Sequence, residues 1–114
     1  MSDTTRLATI VSATANGETA VQSIPDASGY KTASVLFVLN VTALTGSATP
    51  TMLVSIVIEV DGVDVEVGAF AITVSTGAQT RNLVIDECPQ NVKVKYVEGG
   101  TVTDFDATVD AIRS

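Results

Sequence analysis

VLFVLNVTALTGSATPTMLVSIVIEVDGVDVEV (residues 35–67) decides the fold. It holds the most apolar and β-branched runs of the chain, and such residues favour a pleated, packed surface. The stretch reads as one long hairpin, with a first limb over 35–44 and a second over 51–60. Asp61-Gly62 then leads into 63–67. Asp-Gly between apolar runs favours a two-residue type I′ turn, because both central residues need positive φ. That turn predicts a register in which Val60 faces Val63, Glu59 faces Asp64, Ile58 faces Val65 and Val57 faces Glu66. Side chains alternate between faces along a strand. Ile56, Ile58, Val60, Val63, Val65 and Val67 therefore share one apolar face. Val57, Glu59, Asp64 and Glu66 share the other. A slip by one residue would scramble this sorting.

The first limb is less one-sided. Val35, Phe37, Leu39, Val41 and Ala43 share a face, and Leu36, Val38, Asn40, Thr42 and Leu44 share its opposite. A strand apolar on both faces is buried on both. Leu53 and Val57 repeat the pattern on the second limb. Either a loop covers Leu36, Val38, Leu53 and Val57, or another subunit does, since a contiguous apolar patch marks an interface.

Outward from this stretch the chain stays strand-like. Residues 1–5 read as a loose polar arm, and 6–114 as a single domain. LATIVSATA (7–15) and ETAVQSI (18–24) flank Asn16-Gly17 as a second hairpin, which sets Ala15 opposite Glu18 and Ala13 opposite Ala20. PDASG (25–29) is a loop. Gly68 allows a bend, AFAITVS (69–75) is a strand, and TGAQ (76–79) is a turn. TRNLVID (80–86) is the next strand, ended by Glu87-Cys88-Pro89. Residues 91–98 and 101–112 flank Gly99-Gly100. A turn there sets Lys95 opposite Asp104, Lys93 opposite Asp106, Val94 opposite Phe105 and Val92 opposite Ala107. Oppositely charged cross-strand pairs give about 0.2–1 kcal/mol each. About eight strands with short connections predict an all-β, antiparallel two-sheet sandwich, jelly-roll or immunoglobulin-like.

Size and charge narrow the function. A chain of 114 residues, 46% hydrophobic, can bury a core without staples. A net charge of −7 argues against nucleic acid and anionic membranes as partners and suits docking to a basic surface. MSDTTRLATI has no basic segment ahead of an apolar core, so no signal peptide is expected, and no apolar run reaches the ~20 residues of a membrane helix. Cys88 beside Glu87 and Asp86 reads as a structural thiol. With no His, the usual catalytic triads and zinc sites have no ligand set. Neither a phosphate-binding loop nor a dinucleotide fingerprint is present. No cofactor and no enzymatic activity are expected.

Carboxylates are the remaining candidates. Glu59, Asp64 and Glu66 share the derived hairpin face. Glu59 directly opposes Asp64, which is unfavourable unless solvent or a cation intervenes. Calcium takes six to eight oxygens, and this cluster could supply some. A solvated face, with no metal bound, is the preferred reading of the cluster. Asp104, Asp106 and Asp110 share another strand face and read as salt-bridged.

Two stretches carry a likeness. VLFVLNVTALTGSATPTMLVSIVIEVDG (35–62), with its LNVTALTG phrase, resembles small β-sandwich virion proteins of tailed bacteriophages. There an "LDVTAxTG" phrase is followed by a Thr/Pro segment and a second strand. VKVKYVEGGTVTDFDATVDAI (92–112) resembles their closing hairpin. The resemblance implies a capsid decoration protein, without an active site, bound to the major capsid protein shell. It implies a homo-oligomer, a trimer, with Leu36, Val38, Leu53 and Val57 in the subunit contact. Such a protein is made in the host cytoplasm and ends on the capsid exterior. A tail or neck component is the alternative within the virion. A carbohydrate-binding or adhesive module is the alternative outside it.

Overall fold

The computed structural model describes residues 3–24, 32–71, 73–74, 78–89 and 91–113. Among them are eight strands, all paired antiparallel, and no helix. They are β1 (Asp3–Ile10), β2 (Gly17–Glu18), β3 (Gln22–Ser23), β4 (Thr32–Val60), β5 (Val63–Ala69), β6 (Thr73–Val74), β7 (Gln79–Pro89) and β8 (Asn91–Arg113). Val, Ile, Leu and Ala supply most of their inward positions, as a packed sheet face requires.

Two strands run the length of the molecule. β4 and β8 pair from Val35↔Arg113 to Val57↔Lys93. The N-terminal segment follows the far side of β8, from Asp3↔Arg113 through Ile10↔Ala107 to Gly17↔Tyr96 and Gln22↔Val92. The far side of β4 takes β7 along its first half, and β5 and β6 along its second. The result is one curled antiparallel sheet.

The curl comes from a shared corner. β4 and β8 shift register together, with Ser47↔Thr101 and then Thr51↔Gly99. Ala48 and Thr49 both take φ of 56°, a conformation that a β-branched residue rarely adopts. Gly100 has φ of 68°, and a Cβ there would meet the Ala48 and Thr49 carbonyl oxygens. At Gly46 a Cβ would collide with the Thr101 carbonyl oxygen. Only bare backbone lets the two strands turn so close together.

A bulge near Thr42 re-aims β4 before the corner. Val35, Phe37, Leu39 and Val41 point inward ahead of it, and Leu44, Met52, Val54 and Ile56 after it. β8 switches likewise, from Val92, Val94 and Val102 to Phe105, Ala107, Val109 and Ala111. Both halves feed one core, which Leu7, Ile10, Ile24, Phe70, Ile85 and Cys88 complete.

Several expectations change. TGSATP and Gly99-Gly100 are not hairpin tips. They lie side by side at the corner, so 35–44 pairs with the end of β8 and 51–57 with its start. Ala43 leaves the inward row because the bulge shifts the alternation. No hairpin forms at Asn16-Gly17. The segments on either side lie along different parts of β8, and the Asn16 side chain accepts from the Glu98 N–H instead. Asp3–Thr5, expected in a loose arm, pair with Arg113–Ala111, and residues 1–2 lie outside the described residues. The strand at 80–86 runs on through Pro89. The loop at 25–29 and parts of 69–75 and 76–79 lie outside the described residues.

Candidate interaction surface

The Asp61-Gly62 turn has the predicted form, with φ of 53° and 79°. The four predicted pairs, from Val60↔Val63 to Val57↔Glu66, are all present. A bulge follows at Val67, where Ile56 meets Gly68.

On the acidic face of this hairpin the missing cation is Lys93. It stands on β8 opposite Val57. Its ammonium lies 2.8 Å from Asp64 Oδ1, 3.1 Å from Glu59 Oε1 and 3.4 Å from Glu18 Oε1. Only 5% of its side chain is exposed. One ammonium thus joins β2, β4, β5 and β8, and it relieves the Glu59–Asp64 opposition. Its hydrogen bond to Asp64 holds that carboxyl below the usual carboxylate range, and Lys95, 4.0 Å away, adds to the effect. The same bond raises the pKa of Lys93. Glu59 and Asp64 are therefore brought together around an ammonium, while Glu66 stands opposite Val57. Among the described residues no group of three or more His, Cys, Asp or Glu side chains is placed to hold a metal ion.

None of the aspartates of β8 meets a lysine among the described residues. Asp110 takes the guanidinium of Arg6 in a fork and raises its pKa. Asp106 Oδ1 accepts the Ser12 N–H at 2.6 Å. Oδ1 of Asp104 is buried without a hydrogen bond. The lysines went elsewhere because β8 is one continuous strand and does not fold back at Gly99-Gly100.

The four residues assigned to subunit contact fall on two sides of the corner. Leu36 and Val38 are half-buried on the outer face of the first half. Leu36 lies in a row with Val84 of β7 and Ile112 of β8, and Val84 is 62% exposed. Leu53 is 36% exposed and faces Val97, also exposed. Val57 is only 3% exposed. In the ladder it sits between Lys93 and Glu66.

The largest departure concerns the apolar face of the hairpin. Ile56 is buried, but Val60, Val63 and Val65 are exposed, Val63 by 62%. The β4–β8 ladder stops at Val57↔Lys93, and among the described residues β5 is the last strand on its side. Residues 58–66 thus stand past the sheet as a two-stranded ribbon. Their alternation marked a face but could not show that β8 begins too late to cover it. Val84 and Val97 were missed for a related reason, since each becomes notable only beside Leu36 and Leu53. Searches against protein-family models, curated proteins and solved structures find no match to this chain.

Proposed function

We propose that this chain is a structural virion protein of a tailed bacteriophage. It is of the capsid-decoration kind, bound to the shell of major capsid protein and performing no chemistry. One observation carries the reading. The outer faces keep apolar rows, Leu36–Val84–Ile112 on one half and Leu53–Val97 on the other, and the β4–β5 ribbon adds Val60, Val63 and Val65. Exposed apolar groups arranged in contiguous rows belong to contact surfaces. The LNVTALTG phrase of residues 39–46 supports the same assignment. With it goes closure of the curled sheet into the two layers of a small sandwich, jelly-roll or immunoglobulin-like. Assembly as a trimer on the capsid exterior belongs to the same reading.

Light scattering gives the test, followed by mixing with shells that lack the protein. An oligomer that co-sediments with shells supports the proposal. A monomer at high concentration that ignores them overturns it, and binding to tails alone moves the protein to the tail or neck.

A further inference from the structure

We infer that the outer edge of β5 is a docking site for an extended segment of another protein, one in which apolar residues alternate with Lys or Arg. The backbone supplies the first part of the argument. Val60 and Val63 flank the two-residue turn and exchange both ladder bonds, and Ile58 and Val65 form the next bonded pair. The N–H and C=O groups of Asp64 and Glu66 therefore point away from β4. No strand of the described residues lies on that side. β7 approaches only at the other end, where Ile85 and Leu83 lie beside Gly68. An open edge of this kind accepts an added strand through main-chain hydrogen bonds.

Side chains decide which strand. Along the open edge Val63 and Val65 present an exposed apolar face, and Asp64 and Glu66 an acidic one. Asp64 already meets Lys93, but Glu66 and Asp61 have no ion pair among the described residues. A second copy fits poorly. Antiparallel pairing of β5 with itself, valine against valine, sets Asp64 and Glu66 against carboxylates, and like charges directly opposite are destabilising. A shift by one residue instead sets them against valines. A strand of apolar and basic residues in alternation satisfies both faces at once. The acids thus reject self-association and select the partner by the same means. This inference goes beyond the virion assignment and stands or falls without it.

The test titrates the ¹⁵N-labelled full chain with the synthetic peptide Thr-Val-Lys-Val-Lys-Val-Thr. A control peptide carries Glu in place of Lys. The lysine peptide is expected to slow amide exchange at Asp64 and Glu66 several-fold, and the control to leave both unchanged. Glu66→Pro removes an outward N–H without touching the β4 ladder and should abolish the effect. Glu66→Gln keeps that N–H and should only weaken it. Equal protection by both peptides, protection confined to another edge, or full binding by Glu66→Pro would each overturn the inference. Co-sedimentation with shells is read separately, so either proposal can fail alone.

Discussion

Two parts of β4 have nearly the same composition and opposite fates. Over 35–41 apolar residues alternate with Leu36, Val38 and Asn40. Over 56–60, Ile56, Ile58 and Val60 alternate with Val57 and Glu59. The first part lies between β7 and β8, and its inward residues are buried. The second loses β8 after Val57, and its inward row emerges into solvent with that of β5. Alternation states which residues share a face. Coverage of that face depends on how far the next strand runs.

Substitutions test the contrast, beginning in the covered part. Phe37 is fully buried, so Phe37→Ala should cost about 3–5 kcal/mol in urea unfolding. A loss near that of a surface change would erase the distinction between the two parts. Next comes the corner that separates them. Gly100→Ala forces a Cβ against two carbonyl oxygens at positive φ, and should cost about 1–3 kcal/mol. A neutral result would mean that β4 and β8 do not turn together there.

Lys93 links the covered part to the ribbon, and a smaller loss is expected from Lys93→Met. The lowered pKa of Asp64 gives the sign of its pH dependence. The contribution of Asp64 is complete at neutral pH, persists down to the ordinary carboxylate range near pH ~4, and fades as pH falls through the lower folded-state value. That of Lys93, whose pKa is raised, is lost only as strongly alkaline pH is reached. Urea midpoints of the native chain should therefore drop on acidification below pH ~4. In Lys93→Met that drop should be shallower, and equal slopes would show that the ammonium does not hold Asp64. The smallest effect belongs to the ribbon, where Val63→Thr should stay within about 0.5 kcal/mol of neutral. A core-sized loss there would mean that the ribbon is covered after all.

What could be seen in the sequence follows the same division between local and distant. The Asp61-Gly62 register was legible because the turn type depends on two adjacent residues. The opposition of Glu59 and Asp64 was legible for the same reason, with solvent or a cation to relieve it. That a lysine does so was not, because Lys93 arrives through the β4–β8 pairing, about thirty residues further on. TGSATP and Gly99-Gly100 misled because a sharp bend in paired strands needs the same unusual backbone angles as a reversal. Residues 45–50 and 99–100 could each be recognised as special, but not as neighbours. The bulge at Thr42 likewise hid the inward turn of Leu44.

The shared corner also bears on how the molecule comes apart. β4 and β8 pass through both halves, so neither half owns its own strands, and loosening one strips the other of two central members. Unfolding should then be all-or-none, without a half-melted species, despite the visible division. Nearly every ladder joins distant parts of the chain, so formation should be slow, on the millisecond-to-second scale of high-contact-order β proteins.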